Sequence, residues 1–146
     1  GLDRGSSGRH VESGQLDVLR LTAASGCGTP INPTLVENQI DMGVTMGNGY
    51  GRAESIIIDS QTGCVLNSNL LDYKLMSILD MPRIENLNEI FFDNPSAWGA
   101  YGSKGFSESG TTAPAPAIAN AVYNAIGARI REIPITPERI IRALGK

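Results

Sequence analysis

One helix with a bare stripe constrains this chain more than any other feature. Asn32-Pro33 is a helix start, with Asn as N-cap and Pro at the first helical position, where a missing N–H leaves nothing unsatisfied. The spacing predicts a helix to about Gly47, with Val36, Ile40 and Val44 as its core stripe. Gln39, Gly43 and Gly47 share that four-residue spacing and form a second stripe with almost no side-chain bulk. Something must approach it closely, either another backbone or a ligand.

A second segment carries chemistry. Tyr101–Gly110 (YGSKGFSESG) sets one carboxylate, Glu108, among glycines and serines, and no other acid occurs between Asp93 and Glu132. A lone acid in such a loop is either a solvated charge that favours the positive end of the next helix or a base presented to a ligand. The single Trp98 and nearby Tyr101 either pack the loop or line a substrate funnel.

The 146 residues suffice for one domain with a modest core, and 41% of them are hydrophobic. A net charge of -3 without a basic cluster argues against nucleic acid or an anionic membrane as partner. No apolar run is long enough to cross a bilayer. Cys27 and Cys64 form no CxxC pair, which points away from a disulfide framework or a metal held by side chains and towards a reducing, cytoplasmic compartment. Seventeen glycines and few aromatics hint at part of a larger assembly.

Along the chain, residues 1–14 are expected to be a flexible lead-in, with the domain proper over 15–146. Gln15–Thr22 reads as a strand covered on both faces, followed by a small-residue loop over Ala23–Ile31. Ser60–Gly63 is a hairpin signal between Glu54–Asp59 and Cys64–Leu66. Glu85–Phe92 reads as a strand and Asp93–Thr112 as a long loop. Thr112 is placed to cap a helix over Ala113–Ile126 that Gly127 ends. Ile130–Ile135 reads as a short strand, and Thr136-Pro137-Glu138 starts a last helix. Strands and helices without strict alternation predict an α+β fold, a mixed sheet with packed helices.

Four segments, Ile31–Ser55 (INPTLVENQIDMGVTMGNGYGRAES), Asn67–Pro82 (NSNLLDYKLMSILDMP), Gly99–Gly127 (GAYGSKGFSESGTTAPAPAIANAVYNAIG) and Arg131–Leu144 (REIPITPERIIRAL), together resemble one family. It is the xanthine dehydrogenase and aldehyde oxidase family of molybdenum hydroxylases, at the C-terminal end of the molybdopterin-binding subunit. The likeness extends from about Gln15 to Leu144 in order and spacing. It implies a metal held by a pterin dithiolene rather than by side chains. It also implies oxidation of an aldehyde or N-heterocycle, such as a purine, with water-derived oxygen, a glutamate taking the proton. Electrons then leave through iron–sulfur clusters to FAD on other domains or subunits.

Residue by residue, Glu108 matches the family's catalytic glutamate, which usually stands in Gly-Val-Gly-Glu-Pro-Pro. Gln39 matches the glutamine of Gly-Gln-(Ile/Val)-(Glu/Asp)-Gly, which bonds the pterin. Cys27, Gly28 and Thr29 resemble a Cys-Gly-Thr that lies against the cofactor in some members, and Lys104 and Gly105 match the stretch before the glutamate. The chain departs from the pattern in Phe106–Gly110, which lacks the prolines, at Asn38 in place of Gly, and at Met46 where many members have Gln. From residue types alone, Cys27 reads equally as a small buried hydrophobe.

Two functions follow. In the first, the chain is part of a molybdenum hydroxylase and supplies the base and pterin contacts. Its partners are then the remaining molybdopterin-binding segment, iron–sulfur and FAD subunits or domains, and a small-molecule substrate. In the second, it is a non-catalytic structural or assembly module of a molybdoenzyme complex.

Overall fold

A computed structural model of the protein describes residues 12–92 and 94–145. Two short strands, β1 (Leu21–Ser25) and β2 (Leu87–Phe91), pair in parallel, with Leu21 opposite Leu87 and Ser25 opposite Phe91. Parallel strands require a long crossover, and residues 26–86 supply it, including helix α1 (Pro33–Arg52). Helices α2 (Pro114–Ile126) and α3 (Pro137–Ala143) follow the long loop. The α+β class is thus the observed one.

The core joins distant parts of the chain. Leu16, Ile118, Val122, Ile135 and Ile140 form one buried cluster, so α2 and α3 close over the segment that precedes β1. On α1, Ile40 and Val44 are fully buried as the stripe predicts, whereas Val36 is half-buried. Asn32 caps α1 as expected, its Oδ1 accepting from the Leu35 N–H at 3.2 Å. Thr136 caps α3 in the same way, accepting from the Arg139 N–H at 3.4 Å. Gly127 ends α2 in the left-handed conformation, φ 73°.

Several expectations are corrected. The first strand is not Gln15–Thr22 but Leu21–Ser25, which overlaps the expected strand only at Leu21 and Thr22 and runs on into the segment read as a loop. Its burial alternates, because it covers one face and is not sandwiched. Leu16 instead packs into the helical core. Helix α1 does not stop near Gly47. It runs to Arg52, because Gly47 and Gly51, which weaken a helix in water, are here packed against α2. Thr112 does not cap α2: its hydroxyl donates to the Ser109 carbonyl at 3.1 Å, and Ala113 holds the cap position. Ile130–Ile135 is no strand. Pro134 has no N–H, and the Ile135 N–H bonds the Gly51 carbonyl at the end of α1, 2.7 Å, instead of a neighbouring strand. The hairpin signal reduces to one antiparallel bridge, Ile58 to Val65. Of the expected lead-in, residues 1–11 lie outside the described residues, and Gly14 is buried against Pro137. Among the described residues no helix is long and apolar enough to cross a membrane.

Candidate functional site

The bare stripe of α1 is covered by the chain itself, by backbone at Gly43 and by a proline ring at Gly47. A Cβ added at Gly43 would lie 2.6 Å from the carbonyl carbon of Gly110, and one at Gly47 would lie 2.6 Å from Pro114 Cγ. The turn Glu108–Thr111, a short 3-10 helix, therefore rests directly on α1. Tyr50, one helical turn beyond Gly47, donates its hydroxyl to the Thr111 carbonyl at 2.5 Å and holds the other end of that contact. The sequence reading missed Tyr50, although it stands three residues beyond Gly47, on the same side of the helix.

At the first turns of α1 the chain forms a groove of about 450 Å³. Its walls include Cys27, Thr29, Gln39, Lys104, Phe106 and Ser107. Two segments far apart in sequence are bonded together to make it. The Lys104 N–H donates to the Cys27 carbonyl at 2.9 Å, and the Thr29 N–H donates to the Gly102 carbonyl at 3.0 Å. Gly28 lies between these bonds with φ 67°, and a side chain there would strike the Gly102 carbonyl. Gln39 reaches the groove from α1.

The structure thus gathers Cys27, Thr29, Gln39 and Lys104 in one wall system and places Gly28 in the backbone that builds it. Gly105 and Glu108 are not wall residues. Each is exposed and flanked in sequence by wall residues, Gly105 by Lys104 and Phe106, and Glu108 by Ser107. Cys27 is both a buried small side chain, 2% exposed, and a wall residue. Phe106 and Ser107 belong to the wall although the sequence reading gave them no role. Their position between Lys104 and Glu108 was the available signal. Trp98 and Tyr101 do not pack the loop: they are 97% and 89% exposed.

Two of the groove's polar groups are left for a ligand or solvent. Among the described residues, the Gln39 carboxamide and the Lys104 ammonium have no hydrogen-bond or ion-pair partner. An amide that donates and accepts, an ammonium and two hydroxyls suit a polar heterocycle with mixed edges and an anionic tail.

A second acidic site lies between α1 and β2, lined by Glu37, Asp41 and Glu89 among others. Burial first, then the hydrogen bond and charge of Asp41 and the charge of Glu37, push the Glu89 carboxyl up to about 7. Nothing in the sequence reading foresaw this pair, because it depends on where β2 lies against α1.

A family profile, the molybdopterin cofactor-binding domain, matches residues 9–82. The putative xanthine dehydrogenase molybdenum-binding subunit XdhA of Escherichia coli (strain K12) is 36% identical over 126 residues, covering 86% of this chain and 16% of the relative. The aldehyde oxidoreductase molybdenum-binding subunit PaoC of the same organism is 33% identical over 138 residues, covering 94% of this chain and 18% of the relative. The crystal structure of quinoline 2-oxidoreductase from Pseudomonas putida 86 superposes with a TM-score of 0.80 at 32% identity, over 89% of this chain and 16% of that one. The chain spans less than a fifth of each of these relatives, 16–18% of their length. With more than half of its residues matched by the family profile, the chain belongs to the molybdopterin cofactor-binding domain family, that of the molybdenum hydroxylases it resembles.

Proposed function

We propose that this chain is the part of a molybdenum hydroxylase that supplies one wall of the molybdopterin site and the catalytic base. The observation that carries this reading is the convergence of Cys27, Thr29, Gln39 and Lys104 on one groove, beside the turn that begins with Glu108. The residues present fit a pterin: the unpartnered Gln39 amide meets its mixed donor and acceptor edge, and the Lys104 ammonium meets an anionic tail. Gly28 and Gly105 keep the adjacent backbone free of side chains. When bound, the molybdenum cofactor supplies the two-electron redox chemistry. The Glu108 carboxylate takes the proton that a water-derived nucleophile gives up as it attacks the substrate. Its turn is held by the Gly43 contact and the Tyr50 bond, so the base has a fixed backbone.

The substrate on this reading is an aldehyde or an electron-poor N-heterocycle such as a purine. Iron–sulfur and FAD modules, and the remainder of the molybdopterin-binding segment, lie on other domains or subunits. A cytoplasmic setting agrees with the two cysteines, both of them free.

The test is Glu108→Gln in the complete enzyme. Glutamine keeps the size but cannot take the proton. Single-turnover reduction by substrate is expected to slow by about 10²–10⁴-fold with molybdenum and pterin content unchanged. Near-normal reduction at full cofactor occupancy sinks the catalytic assignment and favours the assembly-module reading.

A further inference from the structure

One end of the groove carries two residues that the cofactor contacts leave over. Phe106 and Ser107 immediately precede Glu108, and both line the groove. They stand in the stretch where the chain departs from the family pattern.

Neighbouring hydroxyls of this loop serve the fold. Ser103, Thr111 and Thr112 each donate to the backbone carbonyl three residues earlier, at 2.7, 2.7 and 3.1 Å. Ser107 opens the turn Glu108–Thr111, a position where a serine side chain ordinarily accepts a backbone N–H. It makes no such bond, and among the described residues its hydroxyl has no partner. Ser107 is exposed on the groove beside the proposed base, with a hydroxyl free to donate and to accept. Phe106 gives the same end an apolar face. It is half-buried, and Ile31, Leu35 and Val36 line the groove with it. The groove thus has an apolar side as well as the polar Gln39 and Lys104.

We infer that Phe106 and Ser107 form the substrate subsite of this groove and select a planar, electron-poor N-heterocycle over an aliphatic aldehyde. The inference deepens the function proposed above and rests on it. Phe106 takes the flat ring of the substrate, since aromatic pairs gain from offset or edge-to-face contact beyond their buried area. Ser107 donates its hydroxyl to the ring nitrogen next to the reacting carbon. As the water-derived nucleophile bonds to that carbon, the C=N electron pair moves onto the nitrogen, and a hydrogen bond held there strengthens. The hydroxyl transfers no proton. The nucleophile's proton goes to Glu108, and the two electrons leave by the molybdenum cofactor, as in the function proposed above. An aliphatic aldehyde has no ring for Phe106 and no ring nitrogen for Ser107.

The experiment uses the complete enzyme that carries this chain, as wild type and as Ser107→Ala, Ser107→Thr and Phe106→Leu. Steady-state rates are measured with quinoline, hypoxanthine and acetaldehyde, and molybdenum is measured on each sample. The wild type is expected to show a higher kcat/KM for quinoline or hypoxanthine than for acetaldehyde. With the better heterocycle, Ser107→Ala is expected to lower kcat by at least about tenfold at unchanged KM and molybdenum, and Ser107→Thr to restore it. Phe106→Leu is expected to raise KM for the heterocycle by about three- to tenfold relative to that for acetaldehyde. Preference of the wild type for acetaldehyde overturns the inference, as do variants with unchanged kcat and KM. So does loss of molybdenum in both serine variants, which makes Ser107 a residue that holds the loop. Glu108→Gln, run alongside, separates the two readings. Slow reduction in Glu108→Gln with normal Ser107 and Phe106 variants removes the subsite and leaves the proposed function standing. Normal reduction in Glu108→Gln with both effects present removes the base and keeps the subsite.

Discussion

Gly43 is a residue whose value is in what it lacks. The carbonyl carbon of Gly110 and the nitrogen of Thr111 lie 2.6 and 3.0 Å from where its Cβ would be. Alanine favours the helix over glycine by about 1 kcal/mol, but the obstacle is backbone and cannot rotate away. Gly43→Ala is therefore expected to lower stability by about 1–2 kcal/mol net, in the range for overpacking. Gly26→Ala, which meets nothing within 4 Å, is expected to stay within about 0.5 kcal/mol. Urea unfolding of the two variants checks this, and equal stabilities mean the turn yields freely. The reading from sequence identified this stripe as a close-approach face and left open whether backbone or ligand fills it. At Gly43 the occupant is the backbone of the turn that begins with Glu108, which no local pattern could specify.

At the scale of elements, α1 and β2 meet through acids. Glu89 of β2 hydrogen-bonds Asp41 of α1, Glu37 adds its charge, and Asp41 Oδ1 is buried without a partner of its own. The folded chain holds the Glu89 proton up to about 7, whereas the unfolded chain loses it near the ordinary 4.5. Between those values the folded state binds more protons, so stability falls as pH rises. It is fully present below the unfolded value and is lost through about 7. Glu89→Gln is expected to flatten that fall, and thermal melts across the window decide it. An unchanged slope removes Glu89 as its source. Helix starts at this scale were legible, since Asn32-Pro33 and Thr136-Pro137 are local chemistry. The end of α1 and the position of β1 were not. The glycines from Gly47 onward suggest a helix stop until their packing is known, and Ala23–Ser25 has the composition of a loop until β2 pairs with it.

For the whole molecule, the chain offers one wall of a groove and a small core. Purified apart from the rest of its enzyme, it is expected to hold molybdenum well below one equivalent. Elemental analysis of the isolated chain checks this, and stoichiometric metal means the wall alone suffices. The family was readable in order along the chain, and so were the segments that form the groove, because Cys27-Gly28-Thr29, Gln39 and Lys104–Ser107 fall in short motifs of recognisable residue types. What tertiary structure alone decided is that these motifs meet. The backbone bonds between 27–29 and 102–104, the Gly110 contact on Gly43 and the acid pair of Asp41 and Glu89 join residues far apart in sequence. Such contacts depend on how the chain returns on itself, a global balance of burial and closure entropy that short-range pattern does not encode.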